Sequence, residues 1–496
     1  MKRSISVFTF IVIVLLTFAE RSLFAQGFGH PLTIQGIDQF ASQSVRSAAE
    51  GNIFVGVQGD ISLMFQDPSA LQSLKEIQVT LNGQQFSSSL NQNQEYSPLK
   101  YYSNFSLLME GLTGYLSNPD TTKAGVKYAN AGDTVQRPYD NIVPGWSHSS
   151  SRGRPIQGFM AVPFTMGEFK CAAGIGSVEY ANLDWFFQND NVLSPSILAV
   201  RQGTTNFPPN NDEANAIPVQ WYLSSQSRLG TIYGYGAAFS MAVSGEFSLG
   251  VSGMLLDGSS DDFQTRVDRG KLIIYSSYFR LDSIYNRVGS VGSSKYRGAE
   301  FTLSGSYRSR HVIFGFSVKP PTVITRTFSA QVQTDTTGSS IAANVSGKDK
   351  TMIPWRGTVG LSFALRENLR LGLEYEIRPY ASTKFTASDG SVTYPWLSSN
   401  LFHIGAEFTP LTWLAVRAGA REQAEVFQPE GSPFDGVPVG YSVYSFGIGF
   451  VHEATTINFT YEYSNMKYTD MWVNAVSING DVRHTIMADI SYQLPW

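Results

Sequence analysis

The feature that most narrows what this chain can fold into is an alternation of period two that recurs along most of its length. The last dozen residues read TIMADISYQLPW. Ile486, Ala488, Ile490, Tyr492, Leu494 and Trp496 are apolar, Thr485, Asp489, Ser491 and Gln493 are polar, and Met487 is the exception. Successive side chains of an extended chain point to opposite faces, so such a segment is a strand with one dry face and one wet face. The pattern returns at Tyr444, Phe446, Ile448 and Phe450, separated by Ser445, Gly447 and Gly449. It returns again at Ile457, Phe459, Tyr461 and Tyr463, at Val359–Leu365 and at Leu369–Ile377. Ile404, Ala406 and Phe408 face Leu414, Val416 and Ala418 across a short link. Phe301–Gly305, Val312–Val318, Tyr233–Val243 and Phe247–Leu255 complete the clear set.

Segments of about 8–12 residues match the length of a tilted strand that crosses a bilayer. The wet faces carry Arg370, Glu374, Glu376, Glu407, Arg417 and Glu462 in mid-strand. A soluble sandwich would set these in water, whereas a membrane barrel must turn them into its lumen, because charge facing lipid is costly. Short links at Gly245-Glu246, Arg366–Asn368 and Thr409–Thr412 alternate with longer polar stretches, read as loops over Gln331–Lys350 and Ser382–Pro395. Weaker strands are expected at Ile77–Leu81, Gly158–Val162 and Lys170–Val178, which brings the expected total to about 14. The expectation is an all-β chain forming a transmembrane antiparallel β-barrel.

The N-terminus supports export. MKRS is followed by the apolar run Val7–Phe18 and by a small residue, Ala25, before Gln26, the arrangement of a signal peptide over residues 1–25. The run is too short to span a bilayer, which takes roughly 20 residues, and no later stretch reaches that length. Removing Lys2, Arg3 and Arg21 together with Glu20 takes the net charge from −4 to −6. Nothing in this acidic chain, with 15% charged residues, points to nucleic acid, which would call for a strongly basic face. Cys171 is the single cysteine, so no internal disulfide is possible.

Residues 26–74 break the rhythm. After Ser47-Ala48-Ala49 comes GNIFVGVQGDISLMFQDPSAL, small residues, then apolar ones, then a turn signal. Asp67 suits a helix N-cap and Pro68 the first helical position, followed by Ser69-Ala70-Leu71; a plain turn before the first strand fits as well. This stretch resembles the N-terminal hatch of the FadL/TodX outer-membrane transporters of hydrophobic compounds. MAVPF…GEFKCAAGIG, SGSYRSRHVIFGFSVKPP, PWRGTVGLSFALRENLRLGLEYE and FHIGAEFTPLTWLAVRAGA follow in the same order as in that family. Asp67 stands where the family usually has Asn, and Ser69 where it usually has Ala.

The resemblance implies a fourteen-stranded barrel over residues 75–496, plugged by residues 26–74, in the bacterial outer membrane, monomeric and surrounded by its lipid. It implies passive passage of long-chain fatty acids or other hydrophobic small molecules, with Met64, Phe65, Asp67, Pro68, Ser69 and Leu71 as ligand-contacting residues of the hatch. Burying an acyl chain is worth about 0.8 kcal/mol per methylene, enough to capture such ligands without energy coupling. Two elements stay open at this stage. The long insertion, residues 83–150, holds an apolar patch, Tyr101–Leu116, read either as a helix that collects ligand or as one that packs on the rim. Pro163 is read either as a strand kink or bulge, which the resemblance links to sideways release through the wall, or as a strand end and turn.

No chemistry competes with this reading. The six His are scattered, no metal-ligand spacing, phosphate loop or Gly-x-Ser-x-Gly occurs, and Ser147 beside His148 is a sequence neighbour only. No cofactor, metal or catalytic residue is expected. The alternatives are a surface barrel that acts as shuttle or scaffold for secreted proteins, as in type IX secretion, and a general porin.

Overall fold

The structure, a computed structural model, describes residues 37, 40, 42–96, 145–194, 217–274, 279–282, 286–426, 438–472 and 475–494. The expected signal peptide, the patch Tyr101–Leu116 and Trp496 lie outside the described residues.

Fourteen antiparallel strands form one closed sheet. They are β1 (Ile77–Tyr96), β2 (Gly145–Gly153, then Gln157–Met166), β3 (Phe169–Asn182, then Trp185–Ser194), β4 (Ile217–Ala242) and β5 (Phe247–Ile274). β6 (Asn286–Arg308), β7 (Val312–Lys319, then Thr322–Thr336), β8 (Ser339–Ile353, then Arg356–Arg366), β9 (Leu369–Ile377) and β10 (Leu401–Leu411) follow. β11 (Leu414–Glu425), β12 (Val439–His452), β13 (Thr455–Trp472) and β14 (Ala475–Leu494) complete the wall. β14 pairs with β1 from Ile77↔Leu494 to Tyr96↔Ala475, and this closes the sheet into a barrel. Three of the four strand interruptions hold proline, at Pro155, Pro320-Pro321 and Pro354, where the missing N–H cannot serve the ladder. Pro163 lies beyond the last β1–β2 pair, Gln78↔Ala161, and three residues before the turn. It stands inside the β2–β3 ladder, opposite Ala172, where β2 has run past its pairing with β1.

The alternation read from the sequence sets the two faces. Phe301, Leu303, Phe314, Tyr444, Phe446, Phe459 and Ile486 point outward and are exposed. Glu374, Glu407, Arg417 and Glu462 point inward and are buried. Arg370 and Glu376 share that inward face. The core of the molecule is therefore its lumen.

Two expectations about loops need correction. Gln331–Lys350 is not a loop: β7 and β8 continue as a ladder from Thr322↔Ile353 to Thr336↔Ser339, reversing over residues 337–338 with Gly338 at φ +97°. The insertion expected over 83–150 is also narrower, because β1 runs to Tyr96 and β2 begins at Gly145. The cause is the same in both places. Where a strand extends beyond the apolar band both faces are wet, as over 339–344, which are all exposed. Such strands lose the alternation that marks them in sequence. Ser382–Pro395 is a loop, carrying a short ladder of Lys384–Thr386 with Val392–Thr393 that also pairs with β8.

Candidate functional site

Residues 42–74 lie against the inner face of the wall, at the end of the barrel that has the short turns. Three short helical turns, each started by a polar cap, shape the segment. Ser44 caps the helix Val45–Ala49, Asp60 caps Ile61–Leu63, and Asp67 caps Pro68–Ser73, each side chain accepting a backbone N–H two or three residues on. The cap expected at Asp67-Pro68 is thus present, with Pro68 at the first helical position.

Charge holds one side of this segment to β9–β11. Arg46 donates to Glu407 through Nε (3.0 Å) and Nη2 (2.7 Å), and through Nη1 to the Gln58 carbonyl (2.8 Å). Arg417 donates to the other side of the network, at 2.6 Å from Glu407, and Arg370 pairs with Glu50. Glu374 on β9 accepts backbone N–H groups from Phe54 (2.7 Å) and Val55, and His403 lies 2.8 Å from the Gly51 carbonyl. Close approach is possible because the wall offers glycines on its inward face. A Cβ at Gly419 would stand 2.1 Å from the Gly51 nitrogen, and one at Gly405 would stand 2.2 Å from the Glu50 carbonyl oxygen.

The residues expected to contact ligand occupy the opposite side of the segment. Met64 and Phe65 are fully buried and lie over Gly174 and Gly176 of β3. Leu71 is buried in the same cluster. Asp67 and Ser69 dock the turn on β5 and β6. Ser69 donates to Asp67 from its nitrogen (3.1 Å) and its hydroxyl (2.6 Å), and its nitrogen also lies 2.9 Å from Ser304 Oγ. Burial raises the Asp67 carboxyl above its usual range, against the opposing pull of the Ser69 and Ser304 hydrogen bonds. Asp67, Pro68 and Ser69 are thus occupied with the wall, while Met64, Phe65 and Leu71 belong to an apolar surface.

That surface is long. A single cluster of buried apolar side chains runs from Leu71, Met64 and Phe65 past Val178, Leu183 and Ile232. It continues through Leu256, Tyr296, Ile324 and Ile353 to Tyr380 and Trp396 in the loop between β9 and β10. Two smaller apolar clusters, Ile53–Val55 with Val57 and Leu63, and Val45 and Ala48 with Met487, lie elsewhere inside the barrel, and polar groups line its cavities. Phe40 separates two cavities of about 110 and 120 Å³, lined by such groups as Lys319, Arg378 and His403 on one side and Arg154, Glu462 and Arg483 on the other.

Beside the column the wall is unzipped. β2 and β3 pair from Met166↔Phe169 only as far as Gly158↔Ser177. Farther from the turn, β2 pairs with β1 alone and β3 with β4 alone among the described residues. Side chains close this seam instead of backbone. Arg152 meets Asp184 at 2.6 Å, Arg154 meets Glu179 at 3.5 Å, and His148 stacks on Phe186 at 3.8 Å. Behind it Phe40 makes an isolated bridge to Ala181 and packs edge-on against Tyr180 at 5.2 Å. Tyr180 donates to Glu300 (2.7 Å), which Lys319 (2.5 Å) and Arg356 also hold.

Sequence reasoning missed the seam, the glycine cushion and the ionic anchor. The glycines carried a signal: they fall at wet-face positions of strands, as at Gly405 and Gly419, where a side chain would otherwise fill the lumen.

No protein-family model matches the chain, and no curated protein matches its sequence. Solved structures do match in fold. A FadL homologue from Pseudomonas aeruginosa superposes with a TM-score of 0.56 at 12% identity, covering 94% of this chain and 99% of that one. The toluene transporter TodX of P. putida gives 0.54 at 10% identity, covering 93% and 100%. CymD, a monoaromatic hydrocarbon channel, gives 0.51 at 10% identity over 93% and 100%. The fold of this chain is that of the FadL/TodX-type barrels.

Proposed function

We propose that the protein is an outer-membrane channel for the passive uptake of hydrophobic compounds, long-chain fatty acids among them, with residues 26–74 as its hatch. The observation that carries this reading is the long apolar column inside the barrel, reaching from the β9–β10 loop to the unzipped seam. An open polar pore serves sugars and ions; a solute that partitions out of water needs an unbroken apolar surface. The structural neighbours named as carriers of toluene and monoaromatic hydrocarbons support the same class of solute.

A route follows from the geometry. Ligand enters at the loop carrying Tyr380 and Trp396, follows the column past Ile324 and Ile232, and meets the hatch at Met64 and Phe65. Ahead of it the ionic anchor of Arg46, Glu50 and Glu407 keeps the lumen shut. Beside it only side chains cross the seam, so sideways exit into the bilayer disturbs no ladder hydrogen bond.

Organic extraction and mass spectrometry of the detergent-purified protein test this, with an unrelated barrel from the same membrane as control. Enrichment of fatty acids or aromatic hydrocarbons, reduced by Leu183→Asn or Phe65→Asn, is the expected result. Extracts no richer than the control, with a co-purifying secreted protein in their place, would overturn the channel in favour of a shuttle role.

A further inference from the structure

The outward face of β6–β8 carries a feature that hydrophobic transport does not use. On β6, Tyr307, Leu303 and Phe301 are exposed and apolar, and the outward positions that follow are Ala299, Arg297 and Lys295. Ten residues separate Tyr307 from Arg297. At about 3.3 Å per residue and a tilt near 40°, that is roughly 25 Å of height, the thickness of the apolar band of an outer-membrane barrel. The basic residues therefore begin where hydrocarbon ends, on the side of the long loops.

Register extends them across neighbouring strands. Arg297 stands opposite Thr325, which stands opposite Lys350. In the next row Lys295 stands opposite Thr327, and Thr327 opposite Lys348. Lys384 of the β9–β10 loop pairs in register with Met352 of β8, on the same outward face. Lys295, Arg297, Lys348 and Lys350 are all exposed. Arg297 faces Asp257 at 3.6 Å, whereas Lys295, Lys348 and Lys350 form no ion pair among the described residues. Strands about 4.8 Å apart put the cations of one row roughly 10 Å apart with a threonine hydroxyl between them. A net-acidic protein thus sets a basic strip, three of whose four exposed cations have no ion pair among the described residues, at one level immediately above its apolar wall.

We infer that this strip binds the phosphate-bearing headgroup of an outer-leaflet glycolipid, with lysines neutralising the phosphate and Thr325 and Thr327 donating hydrogen bonds. The acyl chains of that lipid lie on Phe301, Val323 and Met352 directly below. A lipid satisfies both halves of the surface at once; a soluble anion satisfies only the upper half. The inference rests on the outer-membrane reading and is independent of what passes through the lumen.

Native mass spectrometry of the full chain in detergent, with added hexa-acylated bisphosphorylated lipid A, reads the site directly. The triple variant Lys295→Gln, Lys348→Gln and Lys350→Gln is expected to bind about a hundredfold more weakly than the parent. Lys170→Gln, Arg310→Gln and Arg366→Gln remove the same charge at the short-turn end and are expected to bind as the parent does. Dephosphorylated lipid A is expected to lose the preference between the two variants. Equal adducts on both variants, or none on the parent, overturn the proposal. Heat-modifiable gel migration and the content of extracted hydrophobic ligand, both unchanged in the triple variant, show that the barrel and its channel remain intact.

Discussion

The wall at β9–β11 and the wall at β2–β3 are built from the same kind of strand, yet they are held differently. At β9–β11 every strand is paired along its length, and three arginines and three glutamates tie the N-terminal segment to it from inside. At β2–β3 the ladder stops midway, the seam is crossed by the Arg152–Asp184 and Arg154–Glu179 pairs, and behind it Phe40 and Tyr180 meet a separate charged cluster of Glu300, Lys319 and Arg356. Buried ion pairs are costly to break singly because the remaining charge is stranded, whereas partly exposed pairs and stacked rings reform easily. The difference assigns the two walls separate tasks. Under the proposed function, one holds residues 42–74 in place and the other parts beside them.

The comparison can be broken most forcefully at Glu407. Glu407→Ala leaves Arg46, Arg370 and Arg417 with Glu50 as their remaining partner in the network, at a cost of about 3–5 kcal/mol. The hatch should leave its wall, and single-channel recording in planar bilayers should show large, persistent conductance absent from the parent. Gly419→Val tests the same docking by shape, since its side chain would occupy the site of the Gly51 backbone. Overpacking of this kind costs about 1–3 kcal/mol, and limited proteolysis should begin to cut within residues 42–74.

A smaller effect is expected on the other side of the hatch. Asp67→Ala removes a cap worth about 1 kcal/mol, while Asp67→Asn keeps an acceptor for the Ser69 nitrogen and should melt with the parent. Thermal unfolding in detergent separates the two variants. The smallest change in stability is expected at the seam itself. Arg152→Ala removes a partly exposed pair and should alter stability by less than about 1 kcal/mol, yet amide exchange over 178–184 should quicken. Exchange that quickens equally in β9–β11 would remove the distinction between the walls.

How much of this was legible in the sequence follows from the range over which each signal acts. The strands and their inward charges were readable because a period of two is local, and Glu374, Glu407 and Arg417 sit where the alternation places them. The turn at Asp67-Pro68 was readable for the same reason. The extended β7–β8 hairpin was not, because its outer residues are wet on both faces. The anchor was hidden for another reason: Arg46 finds Glu407 across 361 residues, and nothing near either one announces the other. The seam was hidden most deeply. Trp185–Ser194 is strand, and only the register shows that β2 does not pair with it. Met64 and Phe65 were singled out by resemblance alone; their place over Gly174 and Gly176 is a fact of packing.

The most direct test asks whether hydrophobic solute depends on the seam. Arg152→Cys with Asp184→Cys allows the two strands to be joined by a short thiol cross-linker, leaving the buried Cys171 in place. Uptake of a labelled long-chain fatty acid and of toluene is then measured in cells before linking, after linking and after reductive cleavage of the linker. The account predicts uptake that falls to background when the seam is locked and returns when it is released. Uptake indifferent to the cross-link, or none above cells lacking the protein, would contradict it.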